Sequence, residues 1–255
     1  MLDLDNKFSV FRLQQVLSSH LRSLEVPLQE EDIASLIHVS LQHLHIFRPQ
    51  SLRSLLATIE SLSTYLFDIH NHFSANRAIG LVVLNGLSAY LWQDRLEAEE
   101  AGLIDGSMER EKDGTVVQKY RDLVVALRRA QQTLECTIIA TNWGLAPVQY
   151  TTGHPALRPH LPSIWTNFCT LRLVVERNTV SKLGPSMSAE EAAKEGLQRQ
   201  EAVDESGFSC WVNWWGSDGW KDEVREEVNG RGRRAAFSFR IDGNGVVIGQ
   251  GESLD

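Results

Sequence analysis

The stretch Ile79-Gly80-Leu81-Val82-Val83-Leu84-Asn85-Gly86 decides how the chain folds. Up to Leu84 both alternating sets of side chains are apolar, as in a strand covered on both faces, and Asn85-Gly86 is a turn signal that ends it. Such a strand belongs in the interior of a mostly parallel sheet. With Ala78 it forms the longest apolar run of the chain, far short of the ~18 residues at which a membrane span is first suggested. No basic-then-apolar leader opens the sequence, so a soluble, intracellular protein is expected.

Outward from this strand, apolar runs alternate with segments of helical period. Leu52, Leu55, Leu56, Ile59, Leu62 and Leu66 make a helical stripe upstream, preceded by a strand-like His43 to Phe47 that stops at Pro49. Leu2 to Asp5 reads as a strand end. Val10, Leu13, Leu17, Leu21 and Leu24 predict a helix running to Pro27, and Glu30 to Leu41 a second one. Downstream, Asp105 to Gly114 is polar and turn-rich. Val116, Tyr120, Leu123, Val124, Leu127 and Leu134 then line one helical face, and Cys136 to Ala140 is a further strand. A long mobile loop with Trp143, Gly144, Pro147, Gly153, Pro155 and Pro159 follows, then a strand Leu171 to Val175. The C-terminal hairpin is Ala236 to Ile241, Asp242-Gly243-Asn244-Gly245 and Val246 to Ile248. The expected class is α/β, a mostly parallel sheet with flanking helices and a C-terminal β-hairpin.

A chain of 255 residues with 42% hydrophobic and 23% charged residues suits one large globular domain. With a net charge of −8, the totals give no ground for general attraction to phosphate backbones or anionic lipid, so any nucleic-acid contact must be local. Cys136, Cys169 and Cys210 are odd in number, widely spaced and lack a CxxC, which fits a reducing compartment better than a disulfide framework or a zinc ribbon. From Ser186 to Glu227 there are 11 acids and 4 bases, the composition of a solvated, partly disordered insertion. Four of the seven tryptophans, Trp211, Trp214, Trp215 and Trp220, nevertheless lie there, either packed locally or facing a partner. Three divisions follow: a core over 1–178, the acidic insertion over 179–234, and the hairpin over 235–255 closing the core.

Two His-x-His pairs, His43/His45 and His70/His72, each put two imidazoles on one strand face, the start of a metal site. A catalytic metal needs a third convergent ligand, and the remaining distant candidates are His154 and His160, so no metal is expected. The plainer reading makes His43 and His70 exposed loop residues. Arg231, Arg233 and Arg234 between glycines are candidates for contact with a nucleic-acid backbone.

Four stretches together resemble the ATPase core of the RecA family, and within it the eukaryotic recombinase paralogues. They are Leu2-Asp3-Leu4-Asp5-Asn6-Lys7-Phe8 with Arg12-Leu13, Val82 to Tyr90 continued by Trp92-Gln93-Asp94-Arg95, Thr137 to Asn142, and Arg158-Pro159-His160-Leu161 with Trp165. The resemblance implies a RecA-like fold in which Asp5 takes the water-activating acid position and Val82 to Leu84 the Walker B strand. It also implies a degenerate nucleotide site. The Walker B acid position is Asn85, the following hydroxyl position is Gly86, and the sensor position after Asn142 is Trp143. No G-x-x-x-x-G-K-[ST] occurs in the sequence, so no cofactor is expected, with ATP and magnesium only if a phosphate loop lies upstream.

The chain is expected to be N-terminally truncated, with the missing phosphate-loop strand leaving a gap between the Walker B and sensor strands. What the resemblance implies for function is a nuclear, non-catalytic subunit that supports homologous-recombination repair of double-strand breaks. Its partner would be another recombinase paralogue in a hetero-oligomer. DNA contact would be weak or made through the complex, with Arg158 in the second DNA-binding loop region, and no membrane contact is implied. The alternative is an ATP-binding, DNA-dependent ATPase.

Overall fold

The computed structural model describes residues 1–24, 28–70, 72–105, 109–144, 149–151, 154–180, 188, 190, 196–231, 236–243 and 245–248. The expected central strand is β2, Leu81–Asn85, flanked on one side by β1, Leu2–Asp3, and on the other by β3, Thr137–Ala140. Both pairings are parallel, with Leu2 opposite Leu84 and Val82 opposite Ile138. The expected gap between β2 and β3 does not exist. The two strands pair directly over four residues, and backbone bonds from the Thr137 N–H to the Gly80 carbonyl (3.2 Å) and from the Thr141 N–H to the Leu84 carbonyl (2.9 Å) extend the ladder. Two adjacent parallel strands satisfy each other's backbone groups, so no strand is needed between them.

Helices α1 (Val10–Ser23), α2 (Glu30–Leu41), α3 (Leu52–Leu66), α4 (Leu91–Asp105) and α5 (Glu109–Leu134) connect or flank these strands. Ser51 caps α3, its hydroxyl accepting from the Ser54 N–H, and Leu52, Leu55, Ile59, Leu62 and Leu66 are buried along its stripe. These pack with Val82 and Leu84 of β2 and with Tyr120, Leu123 and Leu127 of α5 into the main core. The polar stretch expected as a turn region is helical from Glu109 onward, because the long apolar stripe further along α5 carries its first turns into helix. The stripe of α1 behaves otherwise, since none of its residues is buried. His43 to Phe47 is not a strand. Only Phe47 bridges to Leu2, with the Asp3 N–H donating to its carbonyl at 2.9 Å, and Pro49 stops further pairing.

The chain divides into two compact units, the first comprising Met1–Gln14, Val26–Pro147 and Arg158–Cys169, the second Gln15–Glu25, Val148–Leu157 and Thr170–Asp255. The first holds the parallel sheet, with a short helix α6 (Ser163–Thr166) near its end. In the second, the region expected as a loop contains an antiparallel pair, β4 (Gln149–Thr151) and β5 (His154–Ala156). The strand expected at Leu171 to Val175 is β6, Leu173–Arg177. It does not join the parallel sheet but opens a four-stranded antiparallel one with β7 (Phe208–Val212), β8 (Ala236–Ile241) and β9 (Val246–Ile248).

The terminal hairpin is therefore part of this second sheet instead of a closure of the core. The presumed insertion supplies its inner strand β7 together with helices α7 (Gly196–Glu205) and α8 (Asp222–Arg231). The acids of this stretch fall largely on its helices, while Cys210 and Val212 of β7 are buried. Among the described residues no helix is long and apolar enough to cross a membrane.

Candidate functional site

Parallel strands of an α/β fold present their carboxyl ends on one side, where side chains from separated parts of the sequence meet. In the first unit the ends of β1, β2 and β3 bring Asp3, Asp5, Asn85, Gly86 and Thr141 together. Asp3 is fully buried, and its carboxylate accepts from the Phe8 N–H (3.3 and 3.4 Å), from Arg48 Nε (3.3 Å) and from Asn85 Nδ2 (3.3 Å). Such a carboxylate is tolerable inside a protein because every approach to it is a donor. Beyond it, Asn6 turns the backbone at φ 56°, in the left-handed region that Asn tolerates. That turn places Asp5 beside Asn85, whose Nδ2 donates to Asp5 Oδ1 at 3.0 Å.

The orientation of the Asn85 amide is fixed by its partners. Carboxylates only accept, so the NH2 group faces Asp3 and Asp5, one hydrogen to each. On the other side the Thr141 hydroxyl accepts from the Gly86 N–H at 2.9 Å and so has its own hydrogen to donate to Asn85 Oδ1, at 3.1 Å. One amide thus ties all three strand ends. Gly86 stands at φ 80°, and a Cβ there would lie 2.9 Å from Asp5 Cγ, so the glycine is what lets Asp5 approach. The Tyr90 hydroxyl faces the carbonyls of Leu4 and Pro49 beneath the site, its one hydrogen shared between them. Burial, then the charges of Asp3 and Asp5, raise the Tyr90 pKa, which keeps the phenol protonated as a donor.

The rim is formed by Lys7 and Trp143. Lys7 Nζ lies 3.7 Å from Asp5 Oδ2 and 4.7 Å from the centre of the Trp143 ring, and the Trp143 N–H donates to Ser88 Oγ at 3.1 Å. Trp143 is 56% exposed, so the indole forms an open edge of the site and not part of the core. Asn142 is exposed, and its amide donates to the Trp143 carbonyl at 3.3 Å and not to the cluster's acids. Of the expected positions, Asp5, Asn85, Gly86 and Trp143 converge and Asn142 does not. Asp3, Lys7, Arg48, Ser88 and Thr141 belong to the cluster without having been named as site residues. The alternation Leu2-Asp3-Leu4-Asp5 carried a signal for Asp3, an acid inside an otherwise apolar strand; nothing in the sequence points to Arg48.

The remaining candidates sit elsewhere. Arg158 is exposed in the first unit, and Arg231, on α8 of the second, is bound to Glu227 of its own helix at 2.8 and 2.5 Å. Arg233 and Arg234 lie outside the described residues, as do parts of the loop region (145–148, 152–153) and of the acidic stretch (181–187, 189, 191–195). The tryptophans of the second unit pack locally: Trp214 stacks on His154 with ring centres 4.1 Å apart and lies 5.3 Å from the buried Trp220, while Trp211 Nε1 donates to Glu176 Oε1 at 3.0 Å. Among the described residues no three His, Cys, Asp or Glu side chains converge as metal ligands. His43 is not an exposed loop residue but half-buried and bonded to Ser74. Cys136 and Cys210 are buried, and burial pushes both thiols up, away from the thiolate that reacts or binds metal.

The cluster does not fit magnesium-bound ATP. The Asn85 NH2 is directed at both carboxylates, where a cation would have to displace it, and amide hydrogens repel a cation where a carboxylate would attract one. No protein-family model matches the chain, and no curated protein is significantly similar to it.

Proposed function

We propose that this chain is a non-catalytic RecA-like subunit. In this reading it belongs with the eukaryotic recombinase paralogues, resembles the X-ray repair cross-complementing group two subunit, and serves homologous-recombination repair of double-strand breaks in the nucleus. It acts by contact with another recombinase paralogue, with DNA bound weakly or through the complex. What carries the reading is the Asn85 amide, which holds Asp3 and Asp5 on one side and Thr141 on the other. The polar groups at the strand ends, where phosphoryl-transfer enzymes keep acids for metal and water, satisfy one another here. The segments that bear the resemblance contain β1, β2 and β3, which are neighbours in one parallel sheet and so support the reading, while the direct pairing of β2 with β3 departs from the strand spacing the resemblance implies.

The second reading, an ATP-binding, DNA-dependent ATPase, keeps one observation in its favour: Asp5 is only partly buried, its side chain 15% exposed, and so remains within reach of a ligand. ATP turnover by the purified chain, with and without single-stranded DNA, separates the two. The non-catalytic reading expects the rate of the Asp5→Ala variant to equal that of the unaltered chain. A rate well above the variant's overturns it. Titration against purified recombinase paralogues by calorimetry tests the partner; no binding to any of them removes the scaffold role.

A further inference from the structure

Away from the strand ends, the first unit contains a cluster of imidazoles that the proposed function does not use. His72 is locked in one neutral form by its surroundings. Its Nε2 lies 3.1 Å from the Tyr65 carbonyl, which can only accept, so Nε2 carries the hydrogen. Its Nδ1 accepts from the Ser74 N–H at 3.0 Å and therefore carries none. A proton added to Nδ1 would face the Ser74 N–H head-on, and that bond would have to break. Ser74 is buried, and its hydroxyl meets His43 Nδ1 at 2.8 Å, so one serine joins two histidines. His45 packs on the same group: its ring centre is 4.4 Å from that of His72 and 5.6 Å from Tyr65, its Nδ1 is 3.3 Å from the Tyr65 hydroxyl, and its buried Nε2 has no protein partner.

We propose that His45 and His72 form a proton-released latch: while neutral they hold the His72–Arg77 turn onto α3 and the His43–Phe47 segment, and protonation frees the turn together with Phe73. Phe73 is 84% exposed, the most exposed large apolar side chain among the described residues, so release alters how an apolar group is presented. The groups facing His45 all oppose a proton: His72 from the turn, and His43 and the half-buried Met1 ammonium, which donates to the His45 carbonyl at 2.9 Å. From α3 the Tyr65 hydroxyl meets His45 Nδ1, and Asp68, just past α3, accepts from the His70 N–H. Burial first, then the charges of His72, Met1 and His43, hold His45 below its usual value of 6.5. The sign follows: the opened state binds the proton more readily, so the closed turn is fully stabilised above about pH 6.5 and loses that stabilisation as pH falls below it.

Hydrogen exchange of the Ser74 and Arg77 amides in the full chain, corrected for the intrinsic pH dependence of exchange, tests the latch. Their protection should change little between pH 7 and pH 6.5 and then fall towards pH 5.5, approaching about tenfold per pH unit for one proton taken up, while the β2 amides of Val83 and Leu84 keep theirs. His72→Phe should show weak protection at these two amides that no longer varies with pH. His38→Gln, at an exposed histidine, should behave as the unaltered chain. Protection that is equal at both pH values, or a His72→Phe variant that keeps the original pH dependence, overturns the proposal. Should that variant not fold, the NMR titration of His72 decides instead: its midpoint must coincide with the loss of Ser74 protection, and a separation of a full pH unit overturns the latch.

Discussion

The two faces of the parallel sheet are made from equally apolar residues and end in different surroundings. On one face Val82 and Leu84 are 5% and 0% exposed, packed under α3 and α5; on the other Leu81 and Ile139 are 47% and 48% exposed. The sequence around Leu81 to Leu84 reads as a strand covered on both sides, and among the described residues only one side is fully covered, Val83 on the other being half-buried. Apolar alternation reports what a side chain would gain from burial and is silent on whether a neighbour arrives to provide it. The second unit shows another contrast, between inner and edge strand on one face: Cys210 and Val212 of β7 are buried, while their cross-strand partners Val175 and Leu173 of β6 are more than half exposed.

Substitutions that separate the two faces should differ most. Leu84→Ala, at a fully buried position, should lower stability by about 2 to 5 kcal/mol, read as a shift in the urea midpoint with an unchanged slope. The strand-end cluster, at the boundary between the faces, comes next. Asn85→Asp removes both amide hydrogens from Asp3 and Asp5 and sets a third carboxylate between them, which should cost about 2 to 3 kcal/mol at pH 7. Acidification should return part of that loss, because a proton shared among the carboxylates restores a donor; thermal melting at pH 7 and pH 5 measures the difference. Gly86→Ala should cost about 1 to 2 kcal/mol, from the left-handed backbone and the displacement of Asp5, and calorimetry of the folded chain detects it. Leu81→Thr on the open face should change the unfolding free energy by less than about 0.5 kcal/mol. A loss at Leu81 approaching that at Leu84 would show that the open face is covered in solution, and would erase the comparison.

The candidate site was legible in part. Asp5, Asn85, Gly86 and Trp143 are singled out by the resemblance of their stretches to a known family, and side-chain period by itself does not mark them as site residues. Thr141 was visible only as the end of a strand. Its role arises from the register that sets β3 beside β2, which places its hydroxyl against an amide 56 residues away. Arg48 reaches Asp3 across 45 residues from a segment that reads as a strand and is held by a single bridge. The absent gap between β2 and β3 has the same origin, since strand order is a long-range property that no local pattern encodes.

Local pattern alone determined the helices at Glu30–Leu41 and Leu52–Leu66, the strand through Val82 to Leu84, the strand after Cys136 and the terminal hairpin. Each of these follows from side-chain period, caps and turn residues within a few positions of one another. Tertiary structure decided the rest: the partner of each strand, the covered face, the second antiparallel sheet assembled from β6 through β9, the direction of the Asn85 amide and the tautomer of His72. These depend on which donors and acceptors from distant segments meet once water is excluded, and a buried polar group takes the orientation its partners permit.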